Sequence, residues 1–236
     1  MRLDKLLVHM GYGSRKDVKQ LLKKKIVSVD DVICTKGDHQ VNPETQVIYA
    51  KGKKVQYISD VYLMLHKPPG VISATEDTMH QTVLDFVPAA LQHMHLFPVG
   101  RLDKDTEGLL FLTNDGQMNH RITSPKHDVP KTYYAHIAGE VEAFHVDQFK
   151  EGLTLEDGYR TKPSELSIIQ SSDITKIELV ITEGKFHQVK RMFEAIGKKV
   201  IYLKRTAIGE ITLDDSLKLG ETRKLTAEEI QYLKQL

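Results

Sequence analysis

The stretch Gly100-Arg101-Leu102-Asp103-Lys104-Asp105-Thr106-Glu107-Gly108-Leu109-Leu110 places three carboxylates and two cations within eleven residues. It lies between two apolar runs, residues 95–99 and 109–112, which indicate buried strands. We therefore expect a charged loop that a sheet anchors at both ends, with a glycine near each end to relax the backbone. Carboxylates on such loops are common in catalytic sites. A solvated surface hairpin would show the same spacing.

The composition is typical of a globular protein. Of 236 residues, 40% are hydrophobic and 28% are charged, which is enough apolar material for one large core or two smaller ones. No apolar run approaches the ~20 residues that a membrane helix needs. The N-terminus contains an acid, Asp4, and lacks the apolar region of a signal peptide. Cys34 is the only cysteine, so no internal disulfide is possible. We expect a cytoplasmic protein with no membrane association.

The net charge of +1 conceals an asymmetry along the chain. Residues 1–58 carry twelve Lys and Arg against six acidic residues, a net charge of +6, whereas residues 59–236 carry −5. A small basic segment joined to a larger, mildly acidic one favours a polyanion-binding domain attached to a second domain. Lysines that only keep the first segment soluble would give the same charge.

The first segment predicts two short helices followed by short strands. Apolar residues recur at helical spacing over the first ten positions, and Ser14 can cap the first turn of a second helix. Residues 26–33 and 46–50 predict strands, and residues 51–54 predict a lysine-rich link. The cations of the second helix fall on or near the side opposite its apolar stripe: Arg15, Lys16, Lys19 and Lys23.

This arrangement resembles the S4 RNA-binding domain. The residues that carry the resemblance are Arg2-Leu3-Asp4-Lys5, Gly13-Ser14-Arg15 and Val27-Ser28-Val29-Asp30. Asp31 departs from the family, which usually has glycine at this tight turn. The resemblance implies that residues 1–58 form an S4-like RNA-binding domain.

From about residue 60 the pattern becomes strand-rich. Strands are predicted over residues 61–66, 131–137, 176–181 and 199–203, and helices over 117–123, 189–196 and from residue 226. The expected fold class is α+β, with a mixed, mostly antiparallel central sheet flanked by helices over residues 59–236.

Three polar segments that are far apart in sequence each adjoin apolar core, and all three could line one cleft. They are Gly-Arg-Leu-Asp-x-Asp-Thr-x-Gly-Leu from residue 100, Lys131-Thr132-Tyr133, and Glu-Gly-Lys-Phe-His-Gln-Val-Lys-Arg-Met over residues 183–192. In this order they resemble the motifs of the RsuA branch of the pseudouridine synthases. The resemblance covers essentially the whole chain, including the turn Lys67-Pro68-Pro69-Gly70. It implies a second, catalytic domain over residues 59–236.

The resemblance also implies roles for individual residues. Asp103 matches the catalytic carboxylate, which either attacks C1′ of the ribose or removes a sugar proton. Lys190 matches the basic partner of that carboxylate, and Tyr133 matches the active-site tyrosine, whose ring can support the uracil. Arg101 either fills the space left by the extruded base or holds its phosphate. The further candidates for RNA binding are Arg2, Arg15, Lys16, Lys19, Lys23, Lys131, His187 and Arg191.

The expected activity is isomerisation of a uridine in ribosomal RNA. Residues 187–192 resemble most closely the members of this branch that modify the small-subunit RNA. The resemblance therefore implies 16S rRNA as the substrate and uridine 516 as the target. The expected partner is this rRNA or a pre-ribosomal particle, and the protein is expected to be a monomer. The reaction needs no cofactor. No metal site is expected, because His93 and His95 lack a third ligand and the Asp103-Lys104-Asp105 segment lacks the later residues of a calcium loop.

Three alternatives remain open from the sequence. The enzyme could act on 23S rRNA instead, or the protein could be a non-catalytic RNA-binding or ribosome-assembly factor. A glycoside hydrolase could use Asp103 with Asp105 or Glu107, because carboxylates two or more residues apart on a loop can reach the spacing of an acid/base pair. The basic N-terminal segment and the absence of Trp disfavour this last alternative.

Overall fold

The computed structural model describes all residues from 1 to 236. The chain forms two compact units. The first contains Met1–Val61 and Pro88–His95, and the second contains Tyr62–Val87 and Leu96–Leu236. The first unit therefore takes in a short segment that lies well beyond residue 58 in the sequence.

The first unit combines two helices with a four-stranded antiparallel sheet. The predicted cap of the second helix is present, because the Ser14 side chain accepts from the Asp17 amide and the Asp17 carboxylate accepts from the Ser14 amide at 2.8 Å. The strands follow the order β2-β1-β3-β4. The elements are α1 (Leu3–His9), α2 (Arg15–Lys23), β1 (Val27–Val29), β2 (Val32–Ile33), β3 (Ile48–Ala50) and β4 (Lys53–Lys54).

The expected link over residues 51–54 is instead part of this sheet. Lys51 and Gly52 form a tight turn with positive φ at both positions, 53° and 74°. Lys53 then pairs with Ala50, and Lys54 pairs with Tyr49. Two consecutive residues with positive φ match the twist of a two-residue hairpin, so the segment that was expected to be a lysine-rich link forms a hairpin instead.

The second unit is built on a nine-stranded mixed sheet. Its strands follow the order β13-β5-β7-β11-β8-β10-β9, with β6 paired to β7 and β12 paired to β11. Every pair is antiparallel except β7 with β11. The strands are β5 (Tyr62–Lys67), β6 (Phe97–Pro98), β7 (Glu107–Thr113), β8 (Lys131–Ala138), β9 (Glu165–Gln170), β10 (Ile174–Ile181), β11 (Lys199–Ile208), β12 (Ile211–Thr212) and β13 (Thr222–Lys224).

Helices pack against this sheet and complete its core. Met118, Ile122 and Leu233 join one apolar cluster with residues of the central strands, and Phe149 packs on Phe193 at 5.1 Å between ring centroids. The α-helices are α3 (Gly116–Thr123), α4 (Ala143–Glu151), α5 (Gln188–Ala195) and α6 (Ala227–Gln235), and Val83–Phe86 is a 3-10 helix. None of the helices combines the length and the apolar character that a membrane crossing needs. The predicted mixed, mostly antiparallel sheet with flanking helices is confirmed.

The centre of the sheet brings three strands together beneath the charged loop. Strand β7 is buried along almost its whole length, because it lies between β5 and β11. Strand β8 alternates between buried and half-buried residues, because its second face stays partly open. On β11, Arg205 is in register with Gly108 of β7 on one side and with Tyr133 of β8 on the other.

Candidate active site

Asp103 lies on the loop that leads from β6 into β7, as the sequence predicted. Its side chain is about a quarter exposed. The loop backbone is anchored on both sides of Asp103. The Ser73 hydroxyl accepts from the Leu102 amide at 3.0 Å and donates to the Leu102 carbonyl at 2.9 Å, and the Gly70 amide donates to the Lys104 carbonyl at 2.7 Å. The carboxylate is therefore presented by a fixed backbone.

Lys67 provides the central anchor of this loop. The residue has no exposed surface. Its Nζ donates to the carbonyls of Asp103 at 3.0 Å and Thr106 at 2.8 Å, and also to that of Pro68 at 3.1 Å. Burial lowers the pKa of the Lys67 amine to about 8, against the opposing effect of the Asp103 charge.

Helix α5 brings a cation to the carboxylate. The Lys190 Nζ lies 3.2 Å from Asp103 Oδ2 and 2.6 Å from Asp105 Oδ1, so it bridges two acids of the loop. Burial lowers the pKa of Lys190, but the hydrogen bonds to Asp105 and Asp103 outweigh this effect and the pKa is raised. The hydrogen bond from Lys190 in turn lowers the pKa of Asp105. Lys190 therefore stays protonated beside Asp103 at neutral pH.

A buried network fixes the segment that precedes α5. The Glu183 carboxylate is buried and accepts from the Tyr159 hydroxyl, the Lys162 amide and the Gln188 side chain. The Gln188 side chain also accepts from the Lys185 amide at 2.8 Å. His187 caps α5 in a left-handed conformation, with φ of 48°, and its Nε2 lies 3.8 Å from Asp103 Oδ1. The network therefore determines where His187 and Lys190 meet the loop.

Asp103 lines a cavity of about 120 Å³ in which the predicted motifs meet. Residues from all three motifs line it: Arg101, Asp103, Lys131, Tyr133 and His187. An adjoining cavity of about 470 Å³ shares Arg101, Asp103 and His187 and is also lined by the exposed Phe186, whose ring stacks on His187 at 3.7 Å. The sequence left open whether these segments form one cleft, and the structure places them together.

Two of the cations in the smaller cavity are buried. Lys131 is 9% exposed and Arg205 is 4% exposed. The Lys131 Nζ donates to the Val129 carbonyl at 2.8 Å, and the Arg205 Nε donates to the Leu109 carbonyl at 2.9 Å. Burial and the charge of Arg205 lower the pKa of Lys131 to about 8. Lys131 thus lies inside the cavity and not on the outer surface.

The remaining candidate residues lie outside this cavity. Arg2 is engaged by Asp4, with Nη2 2.6 Å from Oδ2, and Arg191 is engaged by Asp157, with Nη2 2.6 Å from Oδ2. The four cations of α2 are exposed: Arg15, Lys16, Lys19 and Lys23. Of the other two acids of the loop, Asp105 binds Lys190, and Glu107 accepts from the Tyr202 hydroxyl.

Two residues of the site were not identified from the sequence. Lys67 was assigned only to a turn, and Arg205 was assigned no role. A signal existed for both, because Lys67 directly follows the predicted strand 61–66 and Arg205 lies two residues after the predicted strand 199–203, where a continued strand would bury a charge. For Arg205 the predicted strand ended at residue 203, whereas β11 continues to Ile208. No group of three or more His, Cys, Asp or Glu side chains is arranged to hold a metal ion.

Comparison with known proteins agrees with the motifs of the sequence. Residues 61–195 match the RNA pseudouridylate synthase family, and residues 1–47 match the S4 domain. An uncharacterised RNA pseudouridine synthase of Bacillus subtilis, YtzG, is 47% identical over 99% of this chain and 98% of its own. The ribosomal small subunit pseudouridine synthase A of Vibrio cholerae is 45% identical over 98% of both chains.

A solved structure extends the agreement to the fold. The crystal structure of a pseudouridylate synthase is 38% identical and superposes with a TM-score of 0.69 over 99% of each chain. The family match covers more than half of the chain, and the relatives span it almost completely. The protein therefore belongs to the RNA pseudouridylate synthase family and carries an N-terminal S4 domain.

Proposed function

We propose that this pseudouridine synthase modifies small-subunit ribosomal RNA, that uridine 516 is its target, and that Asp103 is its catalytic carboxylate. The observation that carries the catalytic assignment is the 3.2 Å contact of Asp103 with Lys190, beside a cavity lined by Tyr133. The RNA assignment is supported by the relative named ribosomal small subunit pseudouridine synthase A, at 45% identity over 98% of both chains.

The reaction is an isomerisation, so atoms balance without a co-reactant. The C1′–N1 bond breaks and its electron pair leaves with the uracil. Asp103 either bonds to C1′ and is later displaced, or takes a sugar proton and later returns it. The uracil then turns and its C5 bonds to C1′. The proton on C5 is lost and N1 gains one, which completes pseudouridine.

The site residues are matched to these steps. Lys190 contacts Oδ2 of Asp103, which leaves Oδ1 for the ribose, with the His187 imidazole Nε2 at 3.8 Å from it. Tyr133 lies in the same cavity, where its ring can support the free base. Arg101 is exposed and lines both cavities, which suits contact with the extruded nucleotide or its phosphate.

The two parts of the chain have different roles in the proposed function. Residues 1–58 capture RNA through the exposed cations of α2, and residues 59–236 carry out the isomerisation. Lys131, His187 and Arg191 add contacts to the nucleotide or its neighbours, and Arg2 adds one from the first segment. The protein acts as a monomer in the cytoplasm, on free rRNA or on a pre-ribosomal particle.

Pseudouridine mapping of rRNA tests the proposal. Cells that lack the gene should lose one pseudouridine from 16S rRNA, at position 516. The wild-type gene should restore it, whereas Asp103→Asn should not, although the variant folds and binds RNA. Asp147→Asn removes an exposed acid on α4 and serves as the matched control, which should restore full modification. A lost pseudouridine in 23S rRNA, an unchanged map, or full activity of Asp103→Asn would contradict the proposal.

A further inference from the structure

The cavity beside Asp103 ends in a buried guanidinium that no acid neutralises. Arg205 lies on β11 and is directly opposite Tyr133 of the neighbouring antiparallel strand. Side chains at directly opposite positions project from the same face of a sheet. The guanidinium of Arg205 and the ring of Tyr133 are therefore neighbours, and both line the cavity.

Arg205 is only partly satisfied by the protein. Its Nε donates to the Leu109 carbonyl, but its Nη2 is buried and has no hydrogen-bond partner. No carboxylate lies within 4.0 Å of the Arg205 guanidinium, so Arg205 takes part in no ion pair. A buried charge normally acquires a counter-charge or a full set of hydrogen bonds, because desolvation is costly. An unsatisfied buried donor in a native structure requires an explanation, and a catalytic role is one of the explanations that such groups have.

A second cation reinforces this local excess of positive charge. Lys131 lines the same cavity, is almost fully buried and has no ion pair. Its pKa is lowered by burial and then by the charge of Arg205, an effect that Asp128 opposes. The carboxylate of Asp103 is already bound by Lys190, so the two buried cations have positive charge available for an anionic ligand.

The proposed reaction produces an anion in this cavity. When the C1′–N1 bond breaks, the electron pair stays on the uracil and its charge spreads onto the two carbonyl oxygens. A preorganised donor in a site shielded from water stabilises such developing charge strongly. The requirement is the same whether Asp103 attacks C1′ or removes a sugar proton, because the base leaves with the electron pair in both routes.

We propose that Arg205 is a catalytic residue that donates from Nη2 to a carbonyl oxygen of the departing uracil, with Lys131 adding positive charge from beside it. This proposal rests on the assignment of pseudouridine formation to the Asp103 cavity. A purely structural role for Arg205, in which Nε holds the Leu109 carbonyl of β7, is the competing explanation.

The two explanations predict different rates for the Arg205 variants. If Arg205 stabilises the departing base, the loss of rate depends on how easily that base carries negative charge; if its role is structural, the loss does not depend on the base. Fluorine at C5 withdraws electrons, so 5-fluorouracil carries negative charge more easily and needs less help to leave. The probe is a pair of RNA oligonucleotides with the rRNA sequence around the target uridine that pseudouridine mapping identifies. The two are identical except that one carries uridine and the other 5-fluorouridine at that position. C5 of 5-fluorouridine carries fluorine in place of the proton that uridine loses, so its product keeps both the new C5–C1′ bond and the fluorine. Single-turnover rates are therefore measured as the loss of uridine or 5-fluorouridine after nuclease digestion, for the full-length wild type, Arg205→Gln, Arg205→Lys and Lys131→Met.

We expect Arg205→Gln to lower the rate on uridine by about 10²- to 10³-fold, as for loss of an oxyanion donor. The decrease on 5-fluorouridine should be at least tenfold smaller. Arg205→Lys keeps the charge and should lie between the wild type and Arg205→Gln. Lys131→Met should also lower the rate more on uridine than on 5-fluorouridine, but by a smaller factor than Arg205→Gln. This variant tests the proposal if Arg205→Gln does not fold.

Equal losses on the two substrates in every folded variant would overturn the proposal and leave Arg205 with a structural role. The wild type is the internal control for the proposed function. If the wild type converts neither oligonucleotide, the assignment of the activity fails. If it converts both and the variants show no dependence on the base, only the role of Arg205 fails.

Discussion

Lys67 determines where the carboxylate of Asp103 can lie. Its amine is fully buried and hydrogen-bonded to the loop carbonyls of Asp103 and Thr106. An ammonium group is compact and has three donors, so it can hold several carbonyl oxygens at one point. The same cation offsets part of the negative charge of Asp103, Asp105 and Glu107, which all raise its pKa. One side chain thus sets both the position and the electrostatics of the loop.

Replacement of Lys67 by Met should lower both stability and activity. The thioether cannot donate, so the carbonyls of Asp103 and Thr106 lose a buried partner at a cost of about 1–3 kcal/mol each. We expect the free energy of unfolding to fall by about 2–5 kcal/mol and pseudouridine formation to fall at least tenfold. Urea denaturation and single-turnover assays measure the two effects. Lys104→Met, on an exposed residue of the same loop, is the control and should stay within about 0.5 kcal/mol of the wild type. An unchanged midpoint for Lys67→Met would show that the loop does not depend on this anchor.

Lys131 should make the free energy of unfolding increase with pH in the alkaline range. Its pKa is about 8 in the folded protein and 10.5 as the ordinary value. Between these values the unfolded chain binds more protons than the folded one, so stability rises with pH. Lys131→Met removes this contribution. From pH 7.5 to 10, the free energy of unfolding of the wild type should increase by about 2 kcal/mol relative to the variant. Parallel stability curves for the two proteins would show that Lys131 has an ordinary pKa when folded.

The sequence predicts the residues of the site unequally. Asp103, Tyr133 and Lys190 stand in motifs with a distinctive spacing, so the resemblance assigned an expected role to each of them. Lys67 is the last residue of β5 and Arg205 lies inside β11, and the importance of both depends on which neighbours the sheet brings to them. Periodicity indicates which face a residue occupies, but it does not indicate whether a buried cation finds an acid. That information exists only in the folded structure.

At the level of elements, the contact between β7 and β11 limits the shape of the site. Gly108 has φ of 112°, and a Cβ added to it would lie 2.2 Å from the carbonyl oxygen of Arg205. No side chain fits there unless the backbone of one of the two strands moves. The parallel pairing of these strands therefore requires glycine at residue 108, and it holds the charged loop close to β11.

Gly108→Ala should be strongly destabilising. Positive φ costs roughly 1–2 kcal/mol for a residue with a Cβ, and overpacking against a backbone adds about 1–3 kcal/mol. We expect a loss of about 3–4 kcal/mol in the free energy of unfolding, measured by urea denaturation. Gly70→Ala is the matched control, because Gly70 also has positive φ, 86°, but has no atom within 4 Å of the added Cβ. It should lose only about 1 kcal/mol. Equal losses would mean that the positive φ alone, and not the close approach, explains the effect.

Elements with a clear period were predictable, and elements at edges were not. Strand β8 alternates regularly because one face is in the core, and its predicted bounds differ from the observed ones by one residue. Helix α4 was missed because Phe144 is exposed and the helix has no Ser, Thr, Asp or Asn at its N-cap. Strand β9 is at the sheet edge and buries little besides Leu166. The strand predicted over residues 95–99 is observed only over Phe97–Pro98, because the backbone of His95 adopts a left-handed conformation.

At the level of the whole molecule, charge is divided along the chain. Residues 1–58 carry a net charge of +6, while the remainder carries −5. A negative remainder repels an RNA backbone at long range, so the attraction must come from the first segment and from the few cations around the site. The exposed cations of α2 form the densest group in that segment. RNA capture and catalysis should therefore respond separately to mutation.

Neutralisation of α2 tests this separation in the full-length protein. The variant carries Lys16→Gln, Lys19→Gln and Lys23→Gln, all at exposed positions that leave the apolar face of the helix intact. Each lost phosphate contact lowers the slope of log affinity against log salt by about 0.7–0.9. We expect the slope to fall by about 2 and the affinity for 16S rRNA fragments to fall at least tenfold at low salt. The rate at saturating RNA should not change, because Asp103 and its partners are untouched.

The control carries the same charge change at exposed lysines of the second unit, Lys150→Gln, Lys199→Gln and Lys218→Gln. Filter binding at several salt concentrations compares the two variants, and an equal loss of slope in both would place the RNA-attracting charge across the whole surface instead of on α2.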